Sequence, residues 1–216
     1  MIPTRPAALL IDMDGLLLDT ERLIRDVMIA VMADMGHHMA HVDYAALIGL
    51  TEQASGTWMQ ARFPDVDYAA VRAGVGERMA ADWGPRRPLK PGAAALLRAT
   101  RLPCALVTST AGAQARSHLQ HAGLLDHFVT IVGGDAVAHG KPHPEPYLTA
   151  AARLGLAPHA CLALEDSHNG VLSAHAAGVP VIMVPDLLPA TPAIAARALA
   201  VASDLNQVAA WLAAAE

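Results

Sequence analysis

Four places in the chain carry groups suited to phosphoryl chemistry. Asp12-Met13-Asp14-Gly15 ends an apolar run with two carboxylates at i and i+2, and its glycine permits a sharp turn of the backbone. Thr108-Ser109-Thr110 stands just before a helix start, where hydroxyls and free amide N–H groups form an anion site. Lys141, within His139-Gly-Lys-Pro-His-Pro, supplies a compact positive charge on a segment stiffened by Pro142, Pro144 and Pro146. Glu165-Asp166, followed by Ser167-His168-Asn169-Gly170, completes the set. Taken singly, each is ordinary, because such residues commonly serve turns, helix caps and solvated surface. Together they offer four carboxylates, one lysine and a hydroxyl-rich cradle. Two carboxylates ~4 Å apart repel by about 4 kcal/mol at an effective dielectric of 20, so four can share a site only with a bound cation or proton. An all-oxygen donor set selects Mg²⁺. A cation among carboxylates, beside a lysine and a helix N-terminus, is a phosphoryl-group site.

The elements that must position these groups are legible in outline. Short apolar runs at 7–11, 104–107, 128–132, 161–164 and 179–184 have strand length and do not alternate with polar residues, as expected of strands buried on both faces. Helix-sized segments lie between them at 92–98, 111–123, 144–155 and 169–178, the last three running into a glycine. The alternation predicts an α/β fold: a Rossmann-like parallel sheet with right-handed crossovers and helices on both faces, binding ligands beyond the carboxyl ends of the strands. Residues 16–88 break the rhythm. Leu23, Ile24, Val27, Met28, Val31, Met32 and Met35 keep helical spacing up to Gly36, and helical pieces follow at 43–48, 51–62 and 67–83. The methionine stripe is read as core packing. The expected organisation is therefore a discontinuous core, 1–15 and 89–216, with an inserted α-helical cap at 16–88 and a return linker at 84–92.

Bulk composition narrows the function classes. Of 216 residues, 54% are hydrophobic and 16% charged, which excludes a disordered chain. The formal charge is 15 − 20 = −5, and Arg86-Arg87 is the only adjacent basic pair, so nucleic acid is not an expected partner. A membrane reading fails as well: the longest uncharged stretch, 167–185, is broken by Gly170, Gly178 and Pro180, and the N-terminal apolar run is too short for a signal peptide. Cys104 and Cys161 stand alone and are read as reduced, buried thiols of a cytoplasmic protein. His37, His38 and His41 are read as a polar loop, His139 and His143 as residues packed beside Lys141, and Thr20 as a helix N-cap.

With these motifs in order, the chain resembles the haloacid dehalogenase-like hydrolase superfamily, in its cap-bearing phosphatase and β-phosphoglucomutase-like branch. The resemblance covers almost the whole length. It rests on Asp12-Met-Asp-Gly-Leu-Leu-Leu-Asp-Thr-Glu21, on Thr108, on Gly-Lys141-Pro-His-Pro-Glu-Pro-Tyr147 and on Glu165-Asp-Ser-His-Asn-Gly-Val171. It implies that Asp12 is a nucleophile forming an aspartyl-phosphate, and that Asp14 protonates the leaving alcohol and then activates water. Thr108 and the Ser109 amide would hold phosphoryl oxygens, and Lys141 would neutralise charge on Asp12 and the phosphate. Mg²⁺ would be held by Asp12, the Asp14 backbone carbonyl and Asp166, with Glu165 acting through water. Gly15, Thr20, Thr51, Ser109 and Thr110 are the expected substrate contacts. The implied activity is Mg²⁺-dependent hydrolysis of a small phosphate monoester, a sugar phosphate in first place.

Single residues separate this chain from its rivals. A haloacid dehalogenase has no leaving alcohol to protonate, and Asp14 speaks against it. The phosphomutase branch carries a cap histidine where this chain has Ile24, and a phosphate-gripping arginine where Leu50-Thr51-Glu52-Gln53 follow Gly49. Arg62, Arg72 or Arg78 could substitute from another helix, so a mutase stays the alternative. A signalling receiver domain would set its accepting aspartate on a later strand and has no such helical insertion. A phosphate-binding module without catalysis is the remaining non-enzyme reading.

Overall fold

A computed structural model describes residues 5–82 and 88–215. Trp83 and residues 84–87 of the expected return linker, the Arg86-Arg87 pair among them, lie outside the described residues. Six strands form one sheet: β1 Ala8–Ile11, β2 Cys104–Val107, β3 Phe128–Val132, β4 Cys161–Glu165, β5 Val181–Met183 and β6 Ala200–Val201, in the order β3-β2-β1-β4-β5-β6. Every pairing is parallel. This is the doubly wound arrangement, in which chain direction across the sheet reverses at β1 and a ligand crevice opens beyond the carboxyl ends of the strands. Strands β1, β2, β4 and β5 are buried at every residue, which is why their sequences do not alternate. The period of two still sorts their side chains. Leu9 and Ile11 enter one layer with Leu96, Leu119 and Leu205, whereas Ala8 and Leu10 enter the other with Tyr147, Ala150 and Val171.

On one face lie α5 (Ala93–Ala99), α6 (Gly112–Ala122) and α10 (Leu205–Ala213). On the other lie α7 (Glu145–Arg153), α8 (His168–Ala176) and the short α9 (Pro192–Ala195). Helices α6, α7 and α8 do run into glycines, and Gly123, Gly155 and Gly178 all have positive φ. Between β1 and β2 the chain forms α1 (Glu21–Asp34), α2 (His41–Ala45), α3 (Glu52–Arg62) and α4 (Tyr68–Asp82) before reaching α5. These four bury a cluster of their own around Val27, Met28, Val31, Met32, Met59 and Val71. The methionine stripe is therefore core, except that Met35, just past the end of α1, is exposed. The polar loop after α1 ends earlier than expected, because His41 is already the first residue of α2.

The outgoing and returning segments run antiparallel where the helices join the sheet: the Asp19 amide donates to the Pro88 carbonyl and the Lys90 amide to the Leu17 carbonyl, both at 2.9 Å. Lys90 ties this strap to the loop after β5 by donating to Asp186 Oδ1 at 2.8 Å. Strand β6 and helices α9 and α10 have no counterpart in the sequence reading. Cys104 and Cys161 are buried and unbridged. Among the described residues no helix is long and apolar enough to cross a membrane.

Candidate active site

The four motifs meet because parallel strands end on the same rim of the sheet. Asp12 follows β1, and its amide donates to the Leu164 carbonyl at 3.1 Å. Thr108 follows β2, Glu165 ends β4, and Lys141 arrives on the loop between β3 and α7. Lys141 is buried, and its ammonium donates to Asp12 Oδ1 at 2.5 Å, to Glu165 Oε1 at 2.5 Å and to the Val107 carbonyl at 3.0 Å. Three donors meet three acceptors, so the group is satisfied. Burial opposes its charge, but the carboxylates of Asp12 and Glu165 outweigh burial and hold its pKa above the ordinary lysine value.

Glu165 is wholly enclosed. Its Oε1 accepts from Lys141 and from the Tyr147 hydroxyl at 2.7 Å, while Oε2 accepts from the Asp166 amide at 3.1 Å and the Ser167 hydroxyl at 3.2 Å. The first turn of α8 packs directly on this carboxylate. A Cβ at Gly170 would stand 1.8 Å from Glu165 Cδ, so only glycine fits there. Gly15 plays the same part for Asp166: at φ 82° it turns the chain away from β1, and a Cβ there would lie 2.2 Å from Asp166 Oδ2.

Asp12, Glu165 and Asp166 bring one carboxylate oxygen each within 4.8 Å of the others. At that spacing each charged pair repels by roughly 3 kcal/mol or more at an effective dielectric of about 20. Burial, reinforced by neighbouring carboxylates, accordingly lifts Asp12 and Asp166 well above the usual aspartate range. The Asp166 carboxylate accepts no hydrogen bond among the described residues, although the residue is 4% exposed. Carboxylate oxygens gathered this closely, with one of them still open to a partner, fit a hard divalent cation. His139, His143 and Glu145 also gather three possible ligand atoms within 4.8 Å, on the exposed side of the Lys141 loop. There Glu145 accepts from the Ala138 and His139 amides and fixes the loop.

Asp14 points away from this cluster. Its Oδ1 accepts from the Thr20 hydroxyl at 3.0 Å and its Oδ2 from the Thr110 hydroxyl at 2.9 Å. Several hydroxyls expected to contact substrate have partners within the chain. Thr20 is fully buried and does not cap α1 with its side chain, because its hydroxyl is spent on Asp14. Thr110 does the same from the opposite side. The Thr51 hydroxyl caps α3 by accepting from the Ala54 amide, and its methyl group lies where a Cβ on Gly140 would be 2.0 Å away. The Ser109 hydroxyl donates to the Gly49 carbonyl at 2.9 Å, and Asn169 donates to the Ile48 carbonyl at 2.9 Å, so the helical segment rests on the strand ends. The Ser109 amide has no acceptor among the described residues. Thr108 is buried, and its hydroxyl accepts from the Thr110 amide at 3.1 Å.

Between the helical segment and the rim lies a cavity of about 350 Å³. Its floor includes Asp12, Asp14, Thr108, Ser109 and Asp166, and its roof includes Ile24, Met28, Leu47 and Ile48. Of the three arginines weighed above, Arg62 pairs with Asp43 and Arg78 with Asp34. Arg72 does line the cavity, paired with Glu52 at 3.1 Å. The sequence reading missed Tyr147 and Ser167, which position Glu165, and Tyr44, which is hydrogen-bonded to Glu21 in the cavity wall. Tyr147 and Tyr44 act across tertiary contacts that no local signal marks, whereas Ser167 stands two positions after Glu165 and caps α8, a role its place before the helix could have signalled.

A family model described as haloacid dehalogenase-like hydrolase matches residues 9–184. The chain is similar to a fructose-1-phosphate phosphatase of Escherichia coli, 33% identical over 187 residues and covering 83% of this chain and 97% of that one. It is also similar to hexitol phosphatase B of Escherichia coli, 33% identical with 85% of each chain covered. Among solved structures, CbbY of Rhodobacter sphaeroides in complex with phosphate superposes with a TM-score of 0.78 at 25% identity, over 94% of this chain and 96% of that one.

Proposed function

The chain belongs to the haloacid dehalogenase-like hydrolases, and we propose that within this family it is a Mg²⁺-dependent phosphatase acting on a small phosphate monoester through an aspartyl-phosphate on Asp12. The observation that carries this reading is the buried convergence of Asp12, Glu165 and Asp166 around the Lys141 ammonium. Sugar and sugar-alcohol phosphates are the favoured substrates, in keeping with the names of the two phosphatase relatives.

In this mechanism the Asp12 carboxylate, steadied through Oδ1 by Lys141, attacks phosphorus, and the bond to the alcohol oxygen breaks. Asp14 gives that oxygen its proton, then takes one from the water that hydrolyses the aspartyl-phosphate. Thr20 and Thr110 orient Asp14 in both states, because a hydroxyl can donate to a carboxylate and turn to accept from a carboxylic acid. The Ser109 amide faces the phosphoryl oxygens, and Lys141, its three N–H groups spent within the cluster, offsets the charge on Asp12 and the phosphate. Mg²⁺, held by Asp12, Asp166 and the Asp14 carbonyl with Glu165 acting through water, would supply charge neutralisation at the phosphoryl group. Residues 16–88 act as a cap over a core of 1–15 and 89–216, and the Ser109–Gly49 and Asn169–Ile48 contacts hold it shut against water.

Hydrolysis is favoured over mutase chemistry because Ile24 lines the cavity where a mutase needs a histidine, and Arg72 is already paired with Glu52. A net charge of −5 and two unbridged buried cysteines support a small metabolite as partner and the cytoplasm as the place of action. The test is orthophosphate release from p-nitrophenyl phosphate and a panel of sugar phosphates. Release should require Mg²⁺ and vanish in Asp12→Asn; release that survives either change would overturn the proposal.

A further inference from the structure

The cavity wall beside Asp14 holds a carboxyl group that the phosphoryl chemistry above does not use. Glu21 opens α1, is 9% exposed, and faces the same cavity as Asp12 and Asp14. Its Oε2 accepts from the Tyr44 hydroxyl at 2.6 Å, and Tyr44 is itself buried on α2. Its Oε1 takes no hydrogen bond among the described residues. The group stands close to the turn that carries Asp14, since a Cβ on Gly15 would lie 3.2 Å from Glu21 Cγ. Around it the cap contributes apolar surface from Ile24, Met28, Leu47 and Ile48. Burial lifts its pKa to about 7, with Asp14 and Asp186 adding to the rise and the Tyr44 hydrogen bond opposing it.

Oε1 is not one of the fully enclosed side-chain atoms that lack a partner, so it opens onto the cavity that Glu21 lines. Helix geometry and the Tyr44 hydrogen bond fix where that oxygen points, so the missing donor has to come from the cavity. Asp12 takes the phosphorus and Asp14 the ester oxygen, so the alcohol half of the ester is the part that passes Glu21. We propose that Glu21, braced by Tyr44, is the acceptor for a hydroxyl on the alcohol half, close to the ester oxygen, and so selects polyol and sugar phosphates over esters lacking that hydroxyl. An alkyl chain at this position leaves Oε1 empty, and an anionic group meets a carboxylate. Both are disfavoured by the same residue. The inference rests on the phosphatase reading and adds the feature of the substrate that is recognised.

The test compares kcat/KM for glycerol 1-phosphate and n-propyl phosphate, which share a carbon chain and differ in their hydroxyls. The wild-type enzyme should prefer the glycerol ester by about ten- to a hundredfold, the range for a hydrogen bond to a charged group. In Glu21→Ala the preference should fall to within about threefold. Tyr44→Phe, which frees Glu21 to move, should lie between the two. The ratio does not depend on how much of a variant is folded, so a loss of stability cannot imitate the result. A wild-type enzyme without the preference, or a Glu21→Ala enzyme that keeps it, would overturn the assignment. Turnover of neither ester by the wild type would instead fail the phosphatase reading, and the inference with it.

Discussion

Replacing Lys141 by methionine keeps the length of the side chain and removes the charge that two enclosed carboxylates share. Lys141 meets Asp12 and Glu165 at 2.5 Å each, with 2% of its side chain exposed. Removing one partner of a buried ion pair costs about 3–5 kcal/mol, because the remaining charge is stranded. Against a net stability of about 5–15 kcal/mol, that is a large share of the margin. Each kcal/mol moves the unfolding midpoint of a chain this long by about 2–4 °C, so Lys141→Met should unfold about 6–20 °C below the wild type near pH 8. The deficit should depend on pH in a definite sense. Burial already raises Asp12 in the folded protein above its ordinary value of 3.8, Lys141 is the group that opposes this, and Asp166 is raised as well. A carboxyl raised on folding contributes its stability below the unfolded pKa and loses it as pH rises through the folded one. Without the lysine the folded pKa rises further, so the deficit is greatest at alkaline pH and shrinks on acidification, as protons replace the missing cation. Thermal unfolding followed by circular dichroism, with chelator present and pH varied from about 5 to about 8, measures it. A variant that unfolds with the wild type across that range would refute the reasoning.

Gly170→Ala introduces a Cβ that would stand 1.8 Å from Glu165 Cδ, so the carboxylate must retreat from Lys141 and Tyr147. Overpacking costs about 1–3 kcal/mol, and turnover should fall as Lys141 loses its anchor, read by thermal unfolding and phosphate release. Glu21→Gln tests the buried acid by stability alone. Folding raises Glu21 from 4.5 to about 7, so the wild type holds its full stability below pH 4.5 and loses on the order of 3 kcal/mol as pH rises through 7. Glutamine does not titrate, so the variant should gain on the wild type as pH rises through that window, and parallel unfolding curves in pH would contradict the burial effect.

The parallel sheet was readable because β1, β2 and β4 are short apolar runs buried on both faces, and parallel strands deliver their ends to one rim. That rule put Asp12, Thr108, Lys141 and Glu165-Asp166 together, although Lys141 arrives on the loop between β3 and α7 rather than at a strand end. Hydroxyl partners were not legible. Thr20 looks like a cap residue in sequence, yet its hydroxyl turns to Asp14, a choice made by the outgoing chain after Gly15 rather than by α1. Tyr147 reaches Glu165 from a helix 18 positions earlier, and nothing near either residue announces the contact. Strand β6 is two residues long, too short to stand out from its Ala-rich surroundings. Helix α10 did carry a readable signal, since Asp204 caps it by accepting from the Gln207 amide at 2.9 Å.

Everything proposed for this site turns on Asp12 becoming covalently phosphorylated. The most direct measurement is rapid acid quenching of the enzyme during turnover of p-nitrophenyl phosphate, followed by peptide mass mapping. One added phosphoryl group is expected on the peptide containing Asp12, formed only with Mg²⁺ and absent from Asp12→Asn. Phosphate released with no such adduct from an Asp12→Asn enzyme that still turns over, or an adduct mapped to another residue, would contradict it.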